Sequence, residues 1–260
     1  MKTSPDWLAE CPAWENREVD RHFNRRTSSL NSKFIEKEIS LEEARNRRRA
    51  GEPLEYILGH CHVDGLTIKT DPRALIPRQE TETLVRMFSK QLVHLPPGPV
   101  VDCGTGSGFI AAWLAAYGNR KIIATDIDAA ALELARENFR FNNCRVSIVR
   151  ADRLSCFSGG IAAIVANLPY VEKDDPGLDA NVEKYEPHRA LFAGQPLLDF
   201  YKEFLSEGAK CLLPSGQLWL EAEPSLIKKL NKITAASSNW SVRLLKDNQN
   251  RLRFLALEKL

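Results

Sequence analysis

From Val100 onward the chain alternates short apolar runs with helix-patterned stretches, and this alternation constrains the fold more than any other feature. Pro96-Pro97-Gly98-Pro99 marks its start, because prolines so spaced cannot continue a helix. Val100-Val101-Asp102-Cys103 reads as a strand and residues 109–117 as a helix. A second strand over 121–125 and a helix over 129–141 follow, then strands over 146–149 and 162–166. A helix over 198–213, a strand over 217–220, a helix over 226–234 and strands over 242–245 and 252–257 complete the chain. Strands alternating with helices in this way predict an α/β domain with a mostly parallel sheet. The last two strands are close enough in sequence to pair, which would make the final one antiparallel.

Upstream of the proline-rich break the pattern is weaker. The first residues are polar, Arg-rich and irregular, after which a helix is expected over 40–50, with Ser40 and Glu43 at capping-box spacing. Gly51-Glu52-Pro53 ends it, and Glu55-Tyr56-Ile57-Leu58-Gly59 is a short apolar piece. Val63, Leu66 and Ile68 suggest a β-hairpin, and apolar residues at 84, 85, 88, 92 and 93 an amphipathic helix over 80–95. The expected organisation is a small, mostly helical N-terminal domain over 1–59, a connecting hairpin and helix over 60–98, and the α/β domain over 99–260.

A chain of 260 residues, 43% hydrophobic and 27% charged, is ordinary for a globular protein and can bury a core of its own. Its formal net charge of +2 gives no argument for stable nucleic-acid or membrane binding. No apolar run approaches the roughly 20 residues a membrane span needs, and Met1-Lys2-Thr3-Ser4-Pro5-Asp6 lacks the apolar stretch of a secretory signal. Six cysteines lie scattered at 11, 61, 103, 144, 156 and 211, with neither a Cys-x-x-Cys pair nor zinc-like spacing. Reduced thiols, a cytoplasmic location and no metal are therefore expected.

Chemistry enters at Asp102-Cys103-Gly104-Thr105-Gly106-Ser107-Gly108, between a strand and a helix. Glycines there let the backbone turn tightly and a ligand approach without meeting a Cβ. The Gly-x-Gly-x-Gly spacing differs from the Gly-x-Gly-x-x-Gly of dinucleotide folds. Asp126 ends the next strand, where a ribose diol would need a bidentate acceptor, and Asp152 follows the third, where a carboxylate could read an adenine amino group. The plainer reading of Asp152 is a cap or turn residue, and the glycine loop with Asp126 suits a dehydrogenase as well as a methyltransferase.

The fourth strand ends in Asn167-Leu168-Pro169-Tyr170, and open parallel sheets bind ligands beyond the carboxyl ends of their strands. The tetrapeptide suits a planar nitrogen carrying two N–H groups. The Asn167 side-chain carbonyl can accept one hydrogen bond and the Leu168 backbone carbonyl the other. Pro169 restricts Leu168 to an extended conformation, and Tyr170 offers a face for stacking. An amide nitrogen shares its lone pair with the carbonyl, a conjugation seen in a rotation barrier of about 18–20 kcal/mol. Acceptors aimed at its hydrogens would favour the positive charge that develops on nitrogen during methylation. The plainer reading is a proline turn closing a strand with Tyr170 in the core.

The chain resembles the HemK/PrmC-type release-factor glutamine methyltransferases from about residue 45 to the C-terminus. Besides the glycine loop, the resemblance rests on the run from Arg48 to Gly59, on Leu75-Ile76-Pro77-Arg78-Gln79-Glu80-Thr81-Glu82, on Glu186-Pro187 with Ala190-Leu191 and Gly194, and on Leu220-Glu221. It implies a Rossmann-like, seven-stranded S-adenosylmethionine-dependent methyltransferase domain behind a small helical N-terminal domain. It further implies methyl transfer to the glutamine N5 of the Gly-Gly-Gln motif of peptide-chain release factors. Carried onto this sequence, the cofactor contacts fall on the loop Gly104, Thr105, Gly106, Ser107 and Gly108, on Asp126, Asp152 and Arg153, and on Asn167. The catalytic contacts fall on Asn167, Leu168, Pro169 and Tyr170. The chain departs from the family in having Leu168 and Gln79 where proline is usual, and Arg153 where tryptophan is common.

Asn-Leu-Pro-Tyr is also typical of rRNA adenine dimethyltransferases, so an N6-adenine methyltransferase acting on RNA or DNA is an alternative. Glu80-Thr81-Glu82 speaks against it, as does the lack of a C-terminal extension for RNA. A ribosomal-protein glutamine methyltransferase and a cofactor-binding protein without turnover are the other readings.

Overall fold

The computed structural model describes residues 39–173 and 175–260, so expectations for residues 1–38, including Cys11, lie outside the described residues. Two compact units divide between His60 and Cys61. In the first, α1 (Leu41–Arg49) starts where the capping-box spacing places it, with the Ser40 hydroxyl accepting from the Glu43 N–H at 3.1 Å. α2 (Leu54–Leu58) ends at Gly59, whose φ of 74° closes the helix in the left-handed region. Ala44 and Ile57 form a small core there with Ile39, Leu41 and Leu54.

A hairpin of β1 (His60–Val63) and β2 (Leu66–Lys69) follows, joined through Asp64 and Gly65 at φ 47° and 81°. Asp-Gly at such a pair of left-handed positions is a strong hairpin signal. α3 (Gln79–Ser89) follows, and is shorter than the sequence suggests. Beyond Ser89 the backbone tightens into i→i−3 bonds, Gln91 to Phe88 and His94 to Gln91, so Leu92 and Val93 extend the apolar pattern without extending the helix.

The main sheet has seven strands: β3 (Val100–Cys103), β4 (Ile122–Asp126), β5 (Val146–Arg150), β6 (Ile161–Ala166), β7 (Leu212–Glu221), β8 (Trp240–Lys246) and β9 (Leu252–Lys259). Their spatial order is β5-β4-β3-β6-β7-β9-β8. Pairings from β5 through β7 are parallel, and β9 runs antiparallel to both β7 and β8. The final strand is thus the antiparallel one, as the sequence suggested. α4 (Phe109–Tyr117) and α5 (Ala129–Phe141) link the first strands. α6 (Ala180–Tyr185), α7 (His188–Leu191) and α8 (Leu197–Cys211) lie between β6 and β7, and α9 (Pro224–Ala235) precedes β8.

Strand alternation divides the core into two layers. Val100, Ala163 and Val165 face Leu84 and Phe88 of α3, Phe109 and Trp113 of α4, and Phe139 of α5. Val101, Cys103, Ile164 and Ala166 face Tyr201 and Phe204 of α8 and Ile227 and Leu230 of α9. All six residues of β6 are buried, which explains why that strand reads as a continuous apolar run.

The transition from α8 to β7 differs from expectation. The helix stops at Cys211, and Leu212 is already extended (φ −72°, ψ 143°). Pro214 disfavours helical geometry at Leu213, and the pairing with β6 shifts register beside Ser215 and Gly216 before resuming at Gln217. Among the described residues no helix is long and apolar enough to cross a membrane.

Candidate active site

The sheet order reverses around β3, whose neighbours are β4 on one side and β6 on the other. Crevices at such a switch point, beyond the carboxyl ends of the strands, are where open α/β sheets bind ligands. The glycine loop leaves β3 and Asn167 leaves β6 at this point.

The loop is held from below by Asp102. Its Oδ2 accepts from the Thr105 hydroxyl at 2.5 Å and the Ala111 N–H at 3.0 Å, while its buried Oδ1 meets no partner among the described residues. Burial pushes this carboxyl up to about 7. Gly104, at φ 72°, brings its Cα against Leu168, and a Cβ there would meet Leu168 Cδ2 at 2.6 Å. At Gly108, the residue capping α4, a Cβ would meet the Phe139 ring at 2.8 Å.

Asp126 lies across the crevice. Its Oδ2 accepts from the Gly106 N–H at 3.0 Å and its Oδ1 from the Asp128 N–H at 2.9 Å. Burial nevertheless holds this carboxyl above the usual range. Each oxygen keeps lone-pair capacity for a further donor.

A cavity of about 550 Å³ runs along these groups. Gly104, Gly106, Asp126, Asp152, Arg153, Asn167, Leu168 and Pro169 line it, so eight of the residues expected from sequence converge on one space. Thr105, Ser107 and Gly108 do not line it and support the loop from behind. Thr105 bonds Asp102, and the Ser107 carbonyl accepts from Asn138 Nδ2 at 2.8 Å. The Arg153 guanidinium turns towards α8, with Glu203 and Glu207 each 3.0 Å from it and the Phe200 ring centroid 5.4 Å away.

A second cavity, of about 250 Å³, opens on the other side of Asn167 and is lined among others by Tyr170, Arg78, Glu223 and Arg253. Leu75, Asn167 and Ala190 belong to the walls of both cavities. Arg78 pairs with Glu186, a buried carboxylate that also accepts from the Ile76 N–H at 3.2 Å. The Arg253 guanidinium lies 5.6 Å from the Tyr170 ring centroid. Burial pushes the Tyr170 phenol up to about 12, which keeps it protonated.

Three residues that sequence reasoning did not single out individually complete the tetrapeptide's surroundings. Asn167 Nδ2 donates to Thr81 Oγ1 at 2.9 Å, and Thr81 donates on to Glu221 Oε2 at 2.8 Å. The Leu168 carbonyl accepts from the buried Tyr201 hydroxyl at 3.1 Å. Among the described residues no donor meets Asn167 Oδ1. Thr81 and Glu221 were visible only inside the family-like segments, and Tyr201 reads in the sequence as one more core aromatic of α8.

The crevice fits a nucleoside-bearing cofactor on its own evidence. The glycine loop passes through left-handed positions at Gly104, Gly106 and Gly108, with a Cβ at Gly104 only 2.6 Å from Leu168 Cδ2. The Asp126 carboxylate is aimed by two backbone N–H groups, and an apolar wall runs from Ala131 to Phe200. Residues 78–183 match the family described as the methyltransferase small domain. The chain is 34% identical over 210 residues to the release factor glutamine methyltransferase of Deinococcus radiodurans, an alignment covering 80% of this chain and 75% of that protein. It is 40% identical over 208 residues to the enzyme of the same name from Moorella thermoacetica, covering 77% and 73%. Its fold matches a solved methyltransferase structure from Pyrococcus furiosus with a TM-score of 0.52 at 22% identity, over 76% of this chain and 90% of that one. With the switch-point crevice, the glycine cradle and Asn-Leu-Pro-Tyr in place, and with relatives this similar over most of both chains, the chain belongs to the release factor glutamine methyltransferase family.

Proposed function

We propose that this chain transfers a methyl group from S-adenosyl-L-methionine to the side-chain amide nitrogen (N5) of the glutamine in the Gly-Gly-Gln motif of a peptide-chain release factor. One observation carries the reading. Asn167 stands in the wall shared by the two cavities, with Oδ1 meeting no donor among the described residues and its amide fixed from behind by Thr81.

S-adenosylmethionine supplies an electrophilic methyl group on a sulfonium. Gly104 and Gly106 would lie against it, Asp126 would accept from its ribose hydroxyls, and Asp152 with Arg153 would border its base. On the acceptor side, Asn167 Oδ1 and the Leu168 carbonyl accept the two N–H groups of the planar amide. The Tyr201 hydroxyl occupies one lone pair of that carbonyl and fixes its direction, so the position does not depend on a second proline. Tyr170 and the apolar wall at Leu75 hold the amide flat and exclude water. Preorganised dipoles aimed at the developing positive charge each contribute about 3 kcal/mol, and orientation adds to this. The nitrogen becomes acidic once alkylated, so no strong base is needed, in keeping with Tyr170 held in its protonated form. Docking of the release factor by the segment before residue 60 and a cytoplasmic site of action belong to the same reading.

The test is transfer of labelled methyl from the cofactor to purified release factor, run beside the same substrate with its motif glutamine changed to alanine. Label is expected on the first only, and equal labelling of both would overturn the reading. Asn167→Ala is expected to lower kcat by roughly 10²–10³ while cofactor affinity, read by calorimetry, changes little. A near-normal kcat would remove the role given to that side chain.

A further inference from the structure

We propose that Glu221, acting through Thr81, sets which end of the Asn167 amide faces the acceptor, and that both are positioning residues for methyl transfer. The inference rests on the reading that Asn167 Oδ1 accepts from the substrate nitrogen.

The chain of bonds runs from Asn167 Nδ2 to Thr81 Oγ1 and from Thr81 Oγ1 to Glu221 Oε2. A threonine hydroxyl has a single hydrogen to give, and an ionised carboxylate can only accept. While Glu221 is ionised, Thr81 must donate to it and can offer Asn167 only a lone pair. Asn167 must then present its NH2 to Thr81, which leaves Oδ1 turned to the cavities. Protonated on Oε2, Glu221 becomes the donor and Thr81 its acceptor. The threonine hydrogen then has Asn167 as its remaining partner, and the amide turns over to meet it with Oδ1. Nδ2 would face the acceptor, replacing an attractive dipole by a repulsive one at the reacting nitrogen.

The surroundings of Glu221 suit such a device. It ends β7 fully buried, and its Oε1 has no hydrogen-bond partner among the described residues. The charged and titratable groups that face it are Arg78 and Glu80 from the start of α3, Tyr170 from the loop after β6, Tyr201 from α8 and Arg253 from β9. The two arginines favour the ionised form and Glu80 opposes it. Burial outweighs these and pushes the carboxyl up to about 7, so its protonation changes near neutrality.

The experiment is the pH profile of kcat for the full-length enzyme with release factor and saturating labelled cofactor. In the native enzyme kcat is expected to fall about tenfold per pH unit once pH drops below about 7. In Glu221→Gln and in Thr81→Val that break should vanish, with kcat at about pH 8 lowered roughly tenfold in Thr81→Val. Thr81→Ser, which keeps the hydroxyl, should restore both the break and most of the rate. Unchanged cofactor affinity by calorimetry identifies variants that have folded. Asp102, also pushed up to about 7, would leave a break in Glu221→Gln, so a surviving break there overturns the proposal. So does native-like kcat in Thr81→Val. If glutamine-dependent labelling and the Asn167→Ala loss hold while Thr81→Val behaves as native, only the relay fails. If Asn167→Ala itself turns over normally, the underlying reading fails with it.

Discussion

Gly104 shows how closely a single backbone atom controls this site. Its φ of 72° is a left-handed conformation that costs an L-residue about 1–2 kcal/mol, and a Cβ there would stand 2.6 Å from Leu168 Cδ2. Leu168 can yield at its tip, but its carbonyl is one of the two proposed amide acceptors. Gly104→Ala is therefore expected to weaken cofactor binding about tenfold or more, equivalent to about 1.4 kcal/mol, and to lower the melting temperature slightly. Calorimetric titration checks the first, and unchanged affinity would show that the cradle tolerates a methyl group. At this scale the sequence is an uneven guide. Asn167, Leu168, Pro169 and Tyr170 could be read directly, because a proline just past an apolar strand has a local meaning. Thr81 and Tyr201 could not, because their roles come from partners 86 and 33 residues away. A buried threonine on a helix and a tyrosine among core aromatics carry no local sign of such bonds.

Among the elements, α5 does more than cover the sheet. The side chain of Asn138 on its buried face accepts from the Lys69 N–H at 2.7 Å and donates to the Lys69 carbonyl at 3.1 Å and the Ser107 carbonyl at 2.8 Å. One amide thus ties the hairpin strand β2 to the turn that leads into α4. Asn138→Ala would remove these three hydrogen bonds, and is expected to cost about 2–4 kcal/mol. Urea unfolding measures this, and a loss under about 0.5 kcal/mol would mean that water replaces the amide. Elements with a long period were legible: α5 falls where its apolar spacing places it, and β3 to β6 lie within one residue of expectation. The short helices α6 and α7 were not, since six and four residues hold too little periodicity; Asp179 caps α6 by accepting from the Asn181 N–H, and Pro187 precedes α7. β7 starts early because Pro214 ends the helical tendency that the apolar pattern alone would extend.

For the molecule as a whole, pH acts on stability in two opposed ways. Asp102 and Glu221 are each pushed up to about 7 by burial, from ordinary values of 3.8 and 4.5. A raised carboxyl binds its proton more tightly in the folded state, so its contribution is complete below the ordinary value and is lost as pH rises through about 7. Glu137, paired with Lys69 and Arg73, is instead drawn down to about 2, and its contribution is lost as pH falls from 4.5 towards that value. The cofactor-free protein is therefore expected to be most stable near about pH 4.5 and to lose stability as pH rises from there to about 7. Scanning calorimetry should find a lower melting temperature at about pH 8 than at about pH 6, with the difference reduced in Asp102→Asn. A melting temperature that rises steadily across that interval would contradict the assignment. None of this was legible from the sequence, where Asp102 is a loop neighbour and Glu221 a strand end. Their shifts come from burial, which the identity of a single residue does not reveal.

The wall shared by the two cavities has a consequence for inhibitor design. Leu75, Asn167 and Ala190 border both spaces, so a nucleoside fragment in one and a carboxamide fragment in the other would be separated by about the thickness of a side chain. Joining such fragments by a short tether turns the second binding event into an intramolecular one, where avidity gains of about 10²–10⁴ arise without any new contact. The site is therefore suited to bisubstrate ligands, with the tether lying where the transferred carbon would pass.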